Sequence, residues 1–279
     1  MSFYAKVILD SVNKSMQRLT TIEVRYPRII HSEFMTHRVF SRNAASSRAI
    51  PVKKLLSQVM DMPFIPEKFG INQTGMQSYE FLEGEQHQGA ITVWLKARDN
   101  AHRVATTMSE ELNIHKQLCN RLLEPFSWIT VIVTATDWNN FFNLRIHEAA
   151  QGEINKIAGL IKDALDESIP KLLFQGQWHT PYIQPDEKDL NDDIKFKVSA
   201  ARCARVSYLT HDGKRAIEKD LELFQRLIDD AHMSPHEHPA RPIMPGEEHL
   251  QGNFRGWVQF RKTLPNETFE EIPYEGEYT

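Results

Sequence analysis

A run of β-branched and apolar residues at positions 127–136, SWITVIVTAT, limits the possible folds more than any other segment. Such a composition is typical of a buried strand. Two more strands are predicted at 4–9 and 19–26, and in the second of these polar and apolar residues alternate. The chain is therefore expected to contain a β-sheet, with a turn at 11–17 between the first two strands.

Elsewhere the spacing of apolar residues predicts helices. They are expected at 28–40, 51–60, 90–123 (with a break at Asn113), 149–168, 196–208 and 216–231. Asp137 is expected to cap the helix that follows the buried strand. Prolines and glycines mark a long loop at 62–89, and a polar connector at 176–193 is the best candidate for a boundary between subregions. A final strand is predicted at 252–261.

The charge balance narrows the kinds of ligand that the chain can bind. Lys and Arg total 33 against 37 Asp and Glu, a formal net charge of −4, whereas a protein that coats nucleic acid usually has a basic excess. An anionic ligand must therefore be held by a local cluster of arginines. Neither a nucleic-acid nor a membrane partner is expected, since no apolar run approaches the roughly 20 residues of a membrane span. The first residues also lack the apolar core of a signal peptide.

Two cysteines, Cys119 and Cys203, are too few for a disulfide framework or a cysteine-only zinc site. Both lie on predicted helices, and neither has an evident histidine partner beside it in the sequence. We expect them to be inert core thiols and not nucleophiles. A reducing compartment is the corresponding expectation.

The densest group of anion-binding side chains lies at 37–48. It consists of His37, Arg38, Ser41, Arg42, Asn43, Ser46, Ser47 and Arg48. Guanidinium groups bind phosphate oxygens through two parallel hydrogen bonds, and hydroxyl and backbone N–H groups can complete the shell. The segment is therefore a candidate nucleotide-phosphate site. A solvated helix end rich in capping residues would explain the same composition about as well.

Two further groups contain candidate binding residues. Asn140 and Arg145 follow the buried strand, and an asparagine amide both donates and accepts hydrogen bonds, as recognition of uracil or a flavin requires. Helix capping beside a surface arginine is the commoner role for one asparagine taken alone. Lys116 and Arg121 could add positive charge to the same pocket, or lie on an ordinary amphipathic helix face.

Three histidines and a glutamate at 232–238, HMSPHEH, raise the question of a metal site. The proline makes a turn, and no His-Glu-x-x-His or His-x-x-Glu-His helix frame is present. Turn formation with packed histidines is the favoured interpretation, and no metal is expected.

Together these segments resemble the flavin-dependent thymidylate synthases. That family carries a motif of the form Arg-His-Arg-(x)-Ser-x-x-x-x-Ser-x-Arg, and residues 36–48 read THRVFSRNAASSR. Residues 140–145 with Gln151 and Glu153 resemble its Asn-rich, Leu-Arg and Ala-Gln-x-Glu-Ile signature. ARVS at 204–207 and SPHEH at 234–238 resemble its Ala-Arg-Val-Ser and Ser/Thr-Pro-Phe-Glu-His elements. Four partial matches across most of the chain are far more specific than any one of them.

The order of these elements differs from that in most of the family. Here the last two elements follow the Arg-His-Arg motif, so the chain resembles a circularly permuted, phage-type member. Five residues also depart from the family pattern, each at a position that contacts flavin or nucleotide: Glu33 (Gln in the family), Thr36 (Arg), Ala44 (Glu), Thr134 (Asn) and Ala149 (His).

The resemblance implies an α+β fold, in which a mixed, largely antiparallel sheet is flanked by helices, as in thymidylate synthase-complementing proteins. It implies a single domain over 1–265, followed by a mobile acidic tail at 266–279. A homotetramer with sites built from several subunits is implied as well. The implied location is the cytoplasm, that of the host if a phage encodes the chain.

The implied reaction is methylation of dUMP at C5 to dTMP. Methylenetetrahydrofolate supplies the one-carbon unit, FAD carries the hydride, and NADPH re-reduces the flavin. By position, dUMP would be bound by Glu33, Ser46, Ser47, Arg48, Arg121 and Arg145, with Arg145, Ser46 and Arg48 as catalytic residues. FAD would be contacted by His37, Arg38, Asn140, Ser207, Ser234 and Glu237.

Three alternatives remain open from the sequence. A flavin-dependent pyrimidine nucleotide 5-hydroxymethylase on the same scaffold is motivated by the departures at Thr36, Ala44 and Ala149. A non-catalytic nucleotide-binding protein would keep the Arg/Ser phosphate site and lose the flavin contacts. A metal-dependent hydrolase built on the histidines at 232–238 is the most distant alternative.

Overall fold

Two long strands form the centre of the main sheet. β2 (Arg18–Pro27) pairs antiparallel with β4 (Trp128–Ala135), with Ile22 opposite Val133 and Val24 opposite Val131. β-Branched residues favour this pairing because their side chains pack well across neighbouring strands.

The computed structural model describes residues 2–208, 216–265 and 267, without the side chains of residues 207 and 208.

Shorter strands extend this pair on both sides. They are β1 (Tyr4–Val12), β3 (Ser41–Ala44) and β5 (Lys171–Leu172). The strand order is β3-β4-β2-β1-β5, antiparallel throughout except for the parallel contact between β1 and β5. A separate two-stranded antiparallel sheet joins β6 (Ala240–Pro242) and β7 (Trp257–Gln259).

Within the described residues, eight α-helices accompany the sheets. They are α1 (His31–Met35), α2 (Val52–Asp61), α3 (Gly84–Glu110), α4 (Lys116–Cys119), α5 (Asn139–Arg145), α6 (Gly152–Glu167), α7 (Asp192–Tyr208) and α8 (Ile217–Asp229). No helix in the described part of the chain has the length and apolar character needed to cross a membrane.

Helices cover both faces of β4. On one face, α6 packs with its buried Ile157 and Ile161 into the main hydrophobic cluster. On the other face, Ile132 of β4 contacts Cys203 and Val206 of α7. This two-sided burial explains the nearly continuous apolar sequence of β4.

The structure confirms the expected α+β fold with a mixed, largely antiparallel sheet flanked by helices. The predicted buried strand at 127–136 is β4, and the predicted helix break at Asn113 lies between α3 and α4. Asn113 has a φ of 52°, a left-handed conformation that asparagine tolerates better than most residues. The predicted loop at 62–89 ends earlier, because α3 begins at Gly84.

The prediction of a helix over 28–40 is wrong beyond Met35, where α1 ends. The Arg42 side chain turns back, and its Nη1 donates to the carbonyl oxygens of Phe34, Met35 and His37 at 3.2, 2.9 and 3.1 Å. A helix C-terminus leaves such carbonyls without partners inside the helix, so this arginine stabilises the helix end. Arg42 therefore has a structural role, whereas the composition of 37–48 also suggested phosphate binding.

The strand β3 was not predicted from the sequence. Its residues, SRNA, show no alternation of polar and apolar types. It becomes a strand by pairing with β4, with Ser41 opposite Thr134 and Ala44 opposite Val131.

Two smaller predictions also differ from the structure. Asp137 does not cap α5, since Trp138 holds the N-cap position without a side-chain hydrogen bond and Asp137 instead pairs with Arg255 Nε at 3.0 Å. The predicted strand at 252–261 is reduced to β7, which is followed by the 3-10 helix Phe260–Thr263. The predicted acidic tail lies outside the described residues, apart from Glu267.

Candidate functional site

Arg145, the last residue of α5, contacts the segment that precedes β3. Its Nε donates to His37 Nε2 at 3.0 Å, and its Nη1 donates to Glu33 Oε2 at 3.2 Å. Its Nη2 donates to Thr36 Oγ1 at 3.4 Å. The contact with His37 joins two motifs that are 108 residues apart in the chain. Three sequence-predicted site residues are thus brought together.

His37 accepts the Arg145 hydrogen bond only as a neutral imidazole. The side chain is buried and packs edge-on against Phe141, with ring centroids 4.9 Å apart. Burial, reinforced by the positive charges of Arg145 and Arg42, lowers the pKa of His37 to about 4. The imidazole is therefore uncharged at neutral pH and can orient the guanidinium of Arg145.

The segment after β3 forms a short 3-10 helix, Ser47–Ala49, and Asn120 holds this segment through hydrogen bonds. The buried Asn120 Nδ2 donates to two carbonyl oxygens of this segment, at 2.7 and 2.9 Å. Arg48 is exposed and Ser46 is half-buried, so both are accessible to a ligand. Ser47 is buried, and its Oγ donates to Glu124 Oε1 at 2.6 Å.

Arg121 binds the same carboxylate as Ser47. Its Nη1 donates to Glu124 Oε1 at 2.9 Å, and Arg28 Nη1 lies 3.9 Å from that oxygen. We call the group formed by Ser47, Arg121, Arg28 and Glu124 the cradle. Arg145 contacts the segment that precedes β3, whereas Ser46, Ser47 and Arg48 directly follow β3. The structure thus divides the predicted nucleotide-binding residues between the two ends of this strand.

The motif SPHEH at 234–238, called here the C-terminal motif, packs against β3. It forms the 3-10 helix Ser234–Glu237. In the orientation that satisfies its neighbours, the Asn43 amide nitrogen donates to the Ser234 carbonyl oxygen at 3.2 Å. His238 is fully buried, and its Nδ1 lies 2.8 Å from Thr134 Oγ1 of β4. The tertiary structure thus brings the C-terminal motif beside the 37–48 segment.

The other candidates for flavin contact differ in accessibility. Arg38, Asn140 and Ser234 are exposed. Glu237 Oε1 accepts a hydrogen bond from Arg261 Nη1 at 2.6 Å. The backbone of Ser207 lies in α7, and its side chain is outside the described residues. An exposed guanidinium, amide and hydroxyl supply the kinds of donor and acceptor that a flavin and its phosphates require.

A buried polar network that the sequence did not reveal connects β1 to the C-terminal motif. His179 lies between Ser11 Oγ and Thr21 Oγ1, each 2.8 Å from a ring nitrogen. Thr21 Oγ1 lies 2.6 Å from Thr134 Oγ1, which in turn contacts His238. Burial lowers the pKa of both histidines to about 3. His179 stands in the polar connector, where no local pattern marks a buried residue.

The histidines at 232–238 have separate environments. His232 is exposed, whereas the buried His236 packs between the rings of Phe224 and Phe260, with centroid distances of 5.1 and 6.1 Å. His238 faces Thr134. Among the residues that the structure describes, no three His, Cys, Asp or Glu side chains are grouped so that they could hold a metal ion.

Comparison with known proteins bears on the family. The family model for thymidylate synthase complementing protein matches residues 17–171. No curated protein matches the chain. Solved structures that match the chain include a UMP/dUMP methylase PolB from Streptomyces cacaoi, bound with 5-Br dUMP or with 5-Br UMP. Both are 16% identical to this chain and cover 60% of it, and the matches span 90% and 89% of those chains with TM-scores of 0.49 and 0.47.

The family match covers the central strands β2 and β4, the 37–48 segment and Arg145. These are the parts of the chain from which the Arg145–His37 contact and the cradle are built. Since the match extends over more than half of its length, the chain belongs to the thymidylate synthase complementing protein family, the family of flavin-dependent thymidylate synthases.

Proposed function

We propose that the chain methylates dUMP at C5 to give dTMP, with methylenetetrahydrofolate, FAD and NADPH. The observation that carries the proposal is the hydrogen bond from Arg145 Nε to His37 Nε2, because it unites two family motifs in one site. Family membership supports the reaction class. In the balanced reaction, C5 loses a proton and forms a bond to the methylene carbon, whose two bonds to folate nitrogens break so that tetrahydrofolate leaves. A hydride that originates from NADPH completes the methyl group, and NADP⁺ is formed.

Arg145 would contact the pyrimidine. As C5 becomes nucleophilic, negative charge develops on a pyrimidine oxygen, and a fixed guanidinium beside that oxygen stabilises the charge. The neutral His37 accepts the Nε–H and orients the guanidinium without adding positive charge. Glu33 Oε2, 3.2 Å from Nη1, partly balances the charge of Arg145 before substrate binds.

Ser46, Ser47 and Arg48 would bind the nucleotide phosphate, with Arg121 as a further ligand. We place the cradle and Arg145 in composite sites of a homotetramer, since Arg145 contacts the segment before β3 whereas Ser47 follows this strand. We also propose that residues 1–265 act as one domain. The contact between Thr134 in the sheet and His238 in the C-terminal motif supports this assignment.

FAD would be held by His37, Arg38, Asn140, Ser207, Ser234 and Glu237. When bound, it supplies the hydride-transfer chemistry that side chains cannot provide. The exposed Arg38, Asn140 and Ser234 would bind it directly. Glu237 and His37 already have arginine partners, so they would also position those arginines.

A test of the proposal uses the purified protein. We expect a yellow protein with a flavin absorbance spectrum that converts dUMP to dTMP when methylenetetrahydrofolate and NADPH are supplied. A colourless protein that binds no FAD would exclude the proposal. Binding of dUMP without flavin reduction would favour the non-catalytic alternative.

The 5-hydroxymethylase remains the second candidate because of one contact. Thr36 stands where the family motif has an arginine, and its Oγ1 accepts from Arg145 Nη2 at 3.4 Å. The residue that would contact the pyrimidine thus has an altered neighbour. Mass spectrometry of the single-turnover product separates the two reactions, since a hydroxymethyl nucleotide is one oxygen atom heavier.

Arg48→Ala is expected to weaken dUMP binding by about 1.5–3 kcal/mol, the range for a hydrogen bond to a charged group. Arg48 is exposed beside the cradle, so its loss leaves the packing of the fold unchanged. Isothermal titration measures the affinity, and Lys53→Ala, which removes an exposed positive charge from α2, is the control. An unchanged affinity in Arg48→Ala would refute the phosphate assignment.

Cys119→Ser is expected to leave turnover largely intact. Cys119 is fully buried, and its Sγ donates to the Ile114 carbonyl oxygen at 3.2 Å, a bond that a serine hydroxyl can also make. Cys203 is fully buried too, and burial raises the pKa of its thiol, which disfavours a thiolate. Initial rates of dTMP formation test this point. Loss of activity in a folded Cys119→Ser protein would instead indicate a thiol mechanism.

A further inference from the structure

We propose that Glu124 acts as an internal anion that occupies the cradle before nucleotide binds, and that the nucleotide phosphate must displace the Glu124 carboxylate. This inference rests on the proposed function, because it concerns the site assigned there to the dUMP phosphate. Glu124 would thus determine how strongly an anion must bind in order to occupy the cradle, and which anions can do so.

Three anion-binding groups converge on one oxygen atom, Glu124 Oε1. Ser47 Oγ donates to it at 2.6 Å, Arg121 Nη1 donates to it at 2.9 Å, and Arg28 Nη1 lies 3.9 Å away. A hydroxyl and two guanidinium groups around one anionic oxygen form the same kind of shell that binds phosphate. The carboxylate therefore lies where a phosphate oxygen would be bound.

Two of the three donors, Ser47 and Arg28, also have contacts other than Glu124. Asn120 Nδ2 fixes the main chain at Ser47 through its carbonyl oxygen at 2.7 Å. Arg28 Nη2 donates to the Ala45 carbonyl oxygen at 2.9 Å, and the Arg28 side chain is only 11% exposed. Ser47 and Arg28 would therefore remain in place for a ligand after the carboxylate moves away, whereas the exposed Arg121 would follow the anion that it binds.

The Ser47 hydroxyl can bind either the Glu124 carboxylate or a phosphate oxygen, but not both. A hydroxyl has a single hydrogen to donate, so Ser47 cannot serve Glu124 and a phosphate oxygen at once. Charge acts in the same direction, because a carboxylate and a phosphate a few ångströms apart repel each other. The two arginines, Arg28 and Arg121, and the carboxylate of Glu124 together carry a formal charge of +1, and this charge becomes +2 when Glu124 is replaced by a neutral residue.

Such an arrangement favours highly charged ligands. A dianionic phosphate gains more from the two guanidinium groups than a singly charged anion does, so it displaces the carboxylate more readily. A nucleoside that lacks phosphate gains nothing from the cradle. The site would thus select nucleotide monophosphates over nucleosides and over small carboxylates.

Binding of inorganic phosphate to the purified, full-length protein tests the inference. In Glu124→Gln the amide oxygen still accepts from Ser47, so the local structure is retained while the negative charge is removed. We expect the dissociation constant for phosphate to fall about tenfold, as loss of one close like charge predicts. Glu85→Gln, which removes an exposed carboxylate from the start of α3, is the matched control and should bind phosphate like the unmodified protein.

Two more measurements separate this inference from others. Affinity for deoxyuridine should be the same in Glu124→Gln and in the unmodified protein, and KM for dUMP should fall with little change in kcat. Glu124→Asp, which keeps the charge on a shorter side chain, should give a smaller gain and serves if Glu124→Gln does not fold. Phosphate binding that is unchanged, weaker or absent in Glu124→Gln would overturn the inference. If no dTMP forms with either protein, the proposed function fails, and the phosphate comparison still decides the role of Glu124.

Discussion

Replacing Arg145 with alanine is expected to lower kcat/KM for dUMP by about 10²–10³-fold, the loss that follows removal of one fixed donor to a developing oxyanion. The expectation rests on how firmly the guanidinium is held. It has hydrogen bonds to His37, Glu33 and Thr36, so it needs little reorganisation when charge develops on the substrate. Steady-state rates of dTMP formation, with circular dichroism as a check of folding, provide the measurement.

A second variant separates charge from geometry at this position. Arg145→Lys keeps the positive charge but loses the planar fork that reaches His37 and Glu33 together. It should therefore recover only part of the rate. Arg103→Ala, which removes an exposed arginine from α3, should have no effect. If Arg145→Ala retained kcat/KM within a few fold, Arg145 would not stabilise charge on the pyrimidine.

Mild acid is expected to destabilise the protein strongly, starting below about pH 6.5. His179 and His238 are fully buried, and burial lowers the pKa of each from the ordinary 6.5 to about 3. Between these values the unfolded chain binds a proton at each position and the folded chain does not. Stability is therefore complete above pH 6.5 and is lost as the pH falls, by about 3 kcal/mol per pH unit for the two histidines together.

Other buried histidines act in the same direction. Burial lowers the pKa values of His31, His37 and His236 to about 4. Domains are typically stable by only 5–15 kcal/mol, so a fall of one to two pH units below 6.5 should remove a large part of the stability. This pH range, from 6.5 down to about 4.5, lies above the ordinary pKa values of carboxylates. The effect therefore differs from common acid unfolding, which follows protonation of carboxylates.

Urea unfolding midpoints from pH 7.5 to 4.5 measure this dependence. In His238→Gln the side chain cannot be protonated, so one proton fewer is taken up on unfolding. The unfolding free energy should therefore change less steeply with pH in this variant. His249→Gln, at an exposed position, should leave the slope unchanged. A midpoint that stayed constant down to pH 5 would show that the buried histidines are not held neutral.

The sequence predicted the central elements of the fold because their signals are local. β-Branched composition marks β4, alternation marks β2, and Asn113 marks the break between α3 and α4. The signal for β3 is not local. Its four residues are mostly polar, and its hydrogen-bond partners lie on β4, about ninety positions further along the chain. Pairing of this kind is decided when the sheet assembles.

The sequence by itself determined that the chain belongs to this family, and its motifs singled out Arg145, His37 and the 46–48 segment as candidate site residues. Tertiary structure alone decided what each of these groups meets. Arg42 turned out to satisfy the carbonyls at the end of α1, and Glu124 was found to accept hydrogen bonds from Ser47 and Arg121. The physical reason is that a guanidinium binds a carbonyl oxygen, a carboxylate or a phosphate by similar hydrogen bonds. Which of these it binds depends on the chain segments that folding places beside it.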